Sequence, residues 1–297
     1  MLFTLKKPPH FRLKQNIVFL TRSEQEILHQ FKNDVLYTVI TIDDKQFAVK
    51  LKENETDIIV TVYDEAVTKR DSENIKQYIE NWFDLKRNLQ PFYSMAENDP
   101  ILRPIVEKYK GYRIVGIPNL FEAFTWAILG QQINVTFAYK LKKRLIETYG
   151  STLRYNDVKL ATFPTAKKIA SLTVANLRQL QISQRKAESI IGIAEKIANN
   201  TLTKEQLMQL DDQKLEQELI NLRGVGTWTA NYVMMRTFLR TTAFPYQDVG
   251  IKRAFKEQLR HTTYPTKEEM KKYVSNWQGW EAYAAFYLWR TLYADHS

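Results

Sequence analysis

Residues 222–232 read LRGVGTWTANY, and this stretch decides how the second half of the chain is interpreted. An apolar helical pattern ends just before it, and another resumes just after it. Gly224 and Gly226 let the backbone bend tightly and approach a partner without a Cβ atom in the way. The stretch therefore predicts two helices joined by a tight hairpin, over about 213–238, with Thr227 as the cap of the second helix.

The backbone amides at the start of the second hairpin helix are expected to point outward. A helix N-terminus favours an anion because the helix dipole and the unpaired amides both act there. Gly224, Gly226 and Thr227 are therefore candidate phosphate-binding residues. An ordinary turn between two helices explains the same glycines, and their spacing alone does not decide between the two interpretations.

Composition and charge indicate a folded protein with a polyanionic partner. The chain has 297 residues, 43 Lys and Arg against 33 Asp and Glu, a formal charge of +10 and 44% hydrophobic residues. This length suits one large or two moderate domains. The positive excess favours nucleic acid as a partner, although many soluble proteins share it. Because the chain has no cysteine, disulfides, cysteine-ligated zinc, iron–sulfur clusters and a thiol nucleophile are excluded.

The N-terminal residues give no sign of a targeting signal. MLFTLKKPPHFRLKQ (1–15) carries charges and two prolines where a signal peptide needs an apolar core. No apolar run approaches the ~20 residues of a membrane span. The four histidines are scattered and have no metal-ligand spacing. We expect a cytoplasmic protein, nucleoid-associated if it is bacterial, that does not bind membranes.

The first part of the chain, residues 1–85, is predicted to be a small α+β domain. LYTVITI (36–42), QFAVKL (46–51) and DIIVTVY (57–63) are rich in β-branched and aromatic residues. Short polar links, the first at 43–45, separate these segments. The pattern is typical of an antiparallel sheet whose strands follow one another in sequence.

The rest of the chain is predicted to be helical. A helix that starts at the candidate cap Ser72 ends the first part. Residues 86–297 then show the pattern of a bundle of eight or more helices in two helical subdomains. Gly130, Gln131 and Gln132 interrupt this pattern, and a new helix starts near Asn134. The fold class is therefore mainly α, with an α+β domain at the N-terminus.

The hairpin and the motifs around it together resemble a known family. The pattern L-x-G-V-G-x-W-T-A is followed by a loop that contains Pro245 and by Asp248, twenty residues after Trp228. The order of motifs resembles that of the helix-hairpin-helix Gly/Pro/Asp DNA glycosylases, and within them the alkylpurine branch, the DNA-3-methyladenine glycosylase II family. The resemblance extends over about 120–290. The segments that carry it outside the hairpin are FEAFTWAILGQQINVTFAYKLKKRLIETYG (121–150), FPTAKKIASL (163–172), RKAESIIGIAEKI (185–197) and WEAYAAFYLWR (280–290).

This resemblance implies a monofunctional DNA glycosylase, which hydrolyses the N-glycosidic bond of alkylated purines after flipping them out of duplex DNA. Asp248 would be the catalytic carboxylate, which stabilises positive charge on the sugar or positions water. A role for Asp248 as a helix cap is compatible with this one. Trp228, Tyr232 and Trp289 would form the base pocket, with the Trp228 indole stacked on the flipped base. Bifunctional relatives place a lysine where Trp228 stands.

The resemblance also assigns DNA contacts and an ion. Gln132 would fill the gap that the flipped base leaves; a polar loop residue that faces water is the alternative explanation. The family hairpin binds a monovalent Na or K ion through backbone carbonyls, which correspond here to Ile220, Leu222 and Val225, and no other cofactor is required. Basic side chains on the helix after Gln132 would contact phosphates or simply face solvent; they are Lys140, Lys142, Lys143 and Arg144. The partner is double-stranded DNA with damaged bases, and the protein is expected to be a monomer.

Two other functions stay open at this stage. One is a glycosylase for another damaged base, such as an oxidised or deaminated purine. The other is a non-catalytic DNA-binding protein that uses the hairpin alone. Asp248 argues against the second, because binding a polyanion does not require a carboxylate. The sequence does not rank 3-methyladenine, 7-methylguanine and hypoxanthine as substrates.

Overall fold

The computed structural model describes residues 1–42, 45–64, 66–155 and 158–294. Within them, the N-terminal part forms an antiparallel sheet of five strands in the order β1-β5-β4-β3-β2. The strands are β1 (Leu2–Lys6), β2 (His29–Lys32), β3 (Val35–Ile42), β4 (Lys45–Glu53) and β5 (Asp57–Val62). The three predicted strands are confirmed as β3, β4 and β5, while residues 43 and 44 of the predicted link lie outside the described residues. The edge strands β1 and β2 were not predicted, because both are short and β2 is mostly polar.

The sheet buries one face because its strands alternate between apolar and polar residues. Strand β4 buries Phe47, Val49 and Leu51, and its register pairs Phe47 with Ile40 and Leu51 with Val60. Side chains of successive residues point to opposite sides of a strand, so these apolar residues share one face. That face packs against the helices of the chain.

Helix α2 (Lys69–Trp82) covers part of the sheet and begins earlier than predicted. Its cap is Thr68, whose hydroxyl accepts a hydrogen bond from the Asp71 amide at 3.1 Å. The Asp71 carboxylate accepts one from the Thr68 amide at 3.0 Å, which completes a capping box. The prediction of Ser72 as the cap was therefore wrong, because Ser72 lies inside the first helical turn. The apolar face of the helix carries Ile75, Ile79 and Trp82.

The remainder of the chain is mainly helical, as predicted. A short helix α1 (Leu13–Ile17) precedes β2. The helices that follow α2 are α3 (Gln90–Ala96), α4 (Leu102–Lys108), α5 (Leu120–Gly130), α6 (Val135–Tyr149), α7 (Ala166–Ala170), α8 (Val174–Gln179), α9 (Gln184–Ala198), α10 (Lys204–Met208), α11 (Asp212–Ile220), α12 (Thr227–Thr237), α13 (Val249–Gln258), α14 (Lys267–Val274) and α15 (Glu281–Arg290), with a 3₁₀ turn over Ser275–Trp277. None of the described helices has the length and apolar character needed to cross a membrane.

A β-hairpin, β6 (Thr152–Tyr155) and β7 (Val158–Ala161), interrupts the helical part and was not predicted. It lies beside the N-terminal sheet, where the Gln30 side-chain amide donates a hydrogen bond to the Lys159 carbonyl. One buried apolar cluster runs through both parts of the chain. Phe19, near the N-terminus, packs on Phe286 of α15 with ring centroids 4.8 Å apart. The domain boundary near residue 85 stays a prediction.

Candidate active site

The predicted hairpin is formed by α11 and α12, but Gly226 rather than Thr227 occupies the cap position of its second helix. Gly226 occupies the cap position in an extended conformation, with φ −100° and ψ 179°, and no side chain caps the helix. Thr227 is the first helical residue and is exposed. The prediction of Thr227 as the cap was therefore wrong. Because no side chain covers them, the amides of the first turn of α12 are available to a ligand.

The two hairpin glycines serve different purposes. Gly224 has φ +81°, and a Cβ built on it would lie 2.1 Å from Ser189 Oγ of α9. Gly226 has an ordinary φ, and a Cβ there would meet no described atom within 4 Å. Gly224 is thus required by the turn and by close packing, whereas Gly226 leaves the outer surface of the hairpin open.

Asp248 is the N-cap of α13, and donors from three helices hold its carboxylate. Oδ1 accepts hydrogen bonds from the Ile251 amide at 2.8 Å and from Trp289 Nε1 at 2.9 Å. Oδ2 accepts one from Trp228 Nε1 at 3.1 Å. An ionised carboxylate has about four lone-pair sites, so one site on Oδ2 is left to face a substrate. The side chain is partly exposed, which is compatible with access from solvent.

The predicted pocket residues come together around this carboxylate. The rings of Trp228 and Tyr232 are stacked, with centroids 5.5 Å apart and planes 26° apart. Tyr232 and Trp289 lie 6.0 Å apart and tilted by 51°. Trp228 is partly exposed, while Tyr232 and Trp289 are buried. The two indoles therefore do more than line the pocket, because their N–H groups also orient Asp248.

Two residues of the N-terminal part lie next to the pocket residues and were not found from the sequence. Phe19 lies 6.2 Å from Trp289, centroid to centroid. The Arg22 guanidinium lies 3.7 Å from the centre of the Phe19 ring. No local signal marks this segment, because its place beside the pocket residues depends on contacts with α12 and α15. Tyr283, by contrast, is a core residue: it is fully buried and donates a hydrogen bond to Asp84 at 2.7 Å.

The turn that carries Gln132 is fastened to the hairpin, and Gln132 itself is exposed. Gln132 adopts a left-handed conformation with φ +56°. The neighbouring Gln131 side-chain amide donates hydrogen bonds to the Gly224 carbonyl and to Thr229 Oγ1, both at 2.9 Å. Lys186 of α9 donates to two carbonyls of the turn at 2.8 and 2.7 Å. These contacts hold the turn beside the hairpin and leave the Gln132 side chain projecting from it.

The basic residues of α6 do not act alike. Lys142 is buried and pairs with Glu26 at 3.0 Å and Glu122 at 3.3 Å, so its prediction as a phosphate contact was wrong. Burial opposes the ionisation of Glu26, but the Lys142 ammonium outweighs it and lowers the pKa of that carboxyl. Burial raises the pKa of Glu122. Lys140 is exposed and stays a candidate for contact with phosphate.

The candidate ion site consists of backbone carbonyls only. In the part of the chain that the structure describes, no group of three or more His, Asp or Glu residues is placed to hold a metal ion. The Leu222 carbonyl accepts a hydrogen bond from the Val225 amide at 3.0 Å, which leaves its second lone pair for an ion. The roles of Ile220, Leu222 and Val225 in ion binding stay predictions.

A helix-hairpin-helix followed by an aspartate that caps the next helix is typical of a class of DNA repair proteins, and a family comparison agrees. Residues 125–279 match the HhH-GPD superfamily base excision DNA repair protein family. The chain belongs to this family, which confirms the family resemblance of the sequence. Residues 7–124 match the 8-oxoguanine DNA glycosylase N-terminal domain.

Individual relatives point to one branch of this family. The chain is 40% identical over 289 residues to a DNA-3-methyladenine glycosylase of Bacillus subtilis, covering 96% of this chain and 95% of the relative. It is 30% identical over 182 residues to DNA-3-methyladenine glycosylase 2 of Escherichia coli, covering 61% of each chain. A solved 3-methyladenine DNA-glycosylase from Archaeoglobus fulgidus has a TM-score of 0.85 at 23% identity, covering 97% of each chain, which supports the fold.

Proposed function

We propose that this protein is a DNA glycosylase that removes alkylated purines of the 3-methyladenine type from double-stranded DNA. The observation that carries the proposal is the Asp248 carboxylate, held by the indole N–H groups of Trp228 and Trp289 beside the hairpin. The printed name of the Bacillus subtilis relative supports the substrate class.

The geometry suits cleavage of an N-glycosidic bond. As the bond breaks, positive charge develops on the sugar, and a fixed carboxylate stabilises it without reorganisation. Asp248 is fixed in this way because its donors come from three helices. An alkylated purine is cationic and a good leaving group, and electron-rich indoles attract it. A water molecule that reaches the sugar then completes the hydrolysis.

The hairpin and the Gln132 turn would bind and deform the duplex. DNA phosphate would lie against the open amides at Gly224, Gly226 and Thr227, where a sodium or potassium ion on the hairpin carbonyls would support it. Gln132 would fill the space of the flipped nucleotide, whose extrusion requires a few kcal/mol. The hydrogen bonds that hold this turn support this role, because a side chain that fills the gap must keep its position while the base is outside the stack. We expect the protein to act as a monomer and to require no other cofactor.

Asp248→Asn tests the catalytic assignment. Asn caps a helix as well as Asp, so the fold and DNA binding should persist while single-turnover excision falls by about 10²–10³-fold. Asp211→Asn is the matched control, since Asp211 caps α11 through the Lys214 amide and lies away from the pocket. If the Asp248→Asn and Asp211→Asn proteins excise the base at the same rate, the assignment of Asp248 as the catalytic residue is contradicted.

Borohydride trapping tests the monofunctional mechanism. An amine that attacks the sugar forms an imine, which borohydride reduces to a covalent protein–DNA adduct. The Trp228 indole carries no such amine. The product should therefore be an intact abasic site that breaks only after alkali or heat. A strong trapped adduct would show that a lysine reaches the sugar and that the mechanism is bifunctional.

A further inference from the structure

Gly250 lies in the first turn of α13, directly beside the carboxylate of Asp248. A Cβ atom built on it would lie 2.9 Å from Asp248 Oδ1, 3.3 Å from Trp289 Nε1 and 3.4 Å from Leu292 Cδ1. The first two of these atoms are the acceptor and the donor of the hydrogen bond that α15 makes to Asp248. The missing side chain of Gly250 therefore leaves the space that this hydrogen bond occupies.

The backbone of α13 does not itself require a glycine at this position. Gly250 is not among the glycines with a positive φ, so an L-residue can adopt its conformation without strain. Alanine is also the better helix former of the two residues. Local geometry thus gives no reason for a glycine here, whereas the space beside the carboxylate does.

A methyl group at this position would displace the carboxylate rather than the indole. A carbon atom 2.9 Å from Asp248 Oδ1 is too close, so one of the neighbouring groups must move. The Trp289 indole is buried and packs against the rings of Tyr232 and Phe286, both with centroids 6.0 Å away. The Asp248 carboxylate is the end of a short side chain and moves more easily. Moving it weakens its hydrogen bond to Trp289.

We propose that Gly250 is a positioning residue for the catalytic carboxylate, because its missing side chain lets Trp289 hold Asp248 in the orientation that catalysis uses. This inference rests on the proposed function. A catalytic group misplaced by about 1 Å can slow a reaction about 10²-fold, so a displacement of about half as much should slow excision about tenfold. The loss should appear in the chemical step and not in DNA binding, because Gly250 acts through Asp248.

Single-turnover excision from methylated duplex DNA measures this effect in Gly250→Ala. The rate at saturating protein should fall about tenfold, while the protein concentration that gives half of this rate should change by less than about twofold. The melting temperature should change little. Gly192→Ala is the matched control, because Gly192 lies within α9 and a Cβ there would meet no described atom within 4 Å. It should keep the wild-type rate.

Nuclear magnetic resonance of ¹⁵N-tryptophan-labelled protein gives a readout that does not depend on activity. The Trp289 indole signal is identified by its loss in Trp289→Phe. In Gly250→Ala this signal should move upfield and exchange faster with solvent, because its hydrogen bond is weaker. The Trp277 indole donates to Asp99 at 2.7 Å and is the internal reference, which should not change.

These measurements separate the inference from the proposed function. A Gly250→Ala protein with the wild-type excision rate, or with an unchanged Trp289 signal, would overturn the inference. A large fall in melting temperature or in DNA affinity would also overturn it, and would leave Gly250 as a packing residue. If the wild type excises no alkylated purine, the proposed function is refuted, while a Trp289 signal that moves in Gly250→Ala alone would still support the positioning of Asp248 by Gly250.

Discussion

Gly224→Ala should destabilise the protein by about 2–4 kcal/mol. A left-handed φ costs an L-residue roughly 1–2 kcal/mol, and Gly224 has φ +81°. The new Cβ would also lie 2.1 Å from Ser189 Oγ and 2.6 Å from Ser189 Cβ, and overpacking of this kind costs about 1–3 kcal/mol. Alanine also lowers the conformational entropy of the unfolded chain, which offsets about 0.4–1 kcal/mol of the destabilisation.

Urea unfolding measures this effect, and Gly226→Ala is its matched control. Gly226 has an ordinary φ and free space around it, so its substitution should change the free energy of unfolding by less than about 1 kcal/mol. Gly226→Ala should also weaken DNA binding, because the new methyl group would lie where a phosphate approaches the hairpin.

A double-mutant cycle with Ser189→Gly separates the two causes. Removing Oγ and Cβ of Ser189 relieves the steric conflict but not the backbone strain, so the two substitutions should couple by about 1 kcal/mol or more. Strict additivity of the two changes, or a Gly224→Ala protein as stable as the wild type, would refute this account of the hairpin.

Three further predictions concern ionisable groups that the fold holds in place. Lys186→Met should slow single-turnover excision about tenfold with little change in melting temperature, because it frees the turn that positions Gln132; an unchanged rate would contradict this. Lys142→Met should lower the free energy of unfolding by about 3–5 kcal/mol, since it leaves Glu26 buried without its cation, and urea unfolding checks it. Burial lowers the pKa of His29 to about 4, so the unfolded chain binds a proton first as the pH falls. Stability should therefore decrease from about pH 6.5 to 4, and His29→Gln should flatten pH-dependent unfolding in that window.

Features that depend on local backbone geometry could be predicted from the sequence. The hairpin was predicted because its glycines and the helical patterns on either side lie within a few residues of one another. The cap at Asp248 was predicted because a carboxylate that precedes a helix has one obvious local partner, here the Ile251 amide. The position of a cap is harder to predict where two candidates lie within a few residues of each other. Ser72 and Thr227 were each chosen although the chain turns at Thr68 and Gly226.

Features formed by distant segments could not be predicted. Arg22 lies beside the pocket residues through tertiary contacts, and its hydrogen bond to Tyr293 joins residues 271 positions apart. Lys142 resembles a solvent-facing lysine in sequence, and only its packing against Glu26 shows that it is a buried ion pair. The hairpin strands β6 and β7 and the edge strands β1 and β2 are only four or five residues long, which is too short for a clear alternating pattern. Their stability comes from neighbours that the sequence does not identify.

The N-terminal and C-terminal segments meet beside the base pocket, because Phe19 contacts Trp289 and Arg22 donates a hydrogen bond to Tyr293. A ligand in this pocket binds only when the first and the last segments are both folded. Its binding energy must therefore raise the unfolding free energy of the whole chain, by an amount that grows with the logarithm of ligand concentration. Thermal shift and protection from proteolysis should accordingly report pocket occupancy, and neither end could be cut away without losing that response.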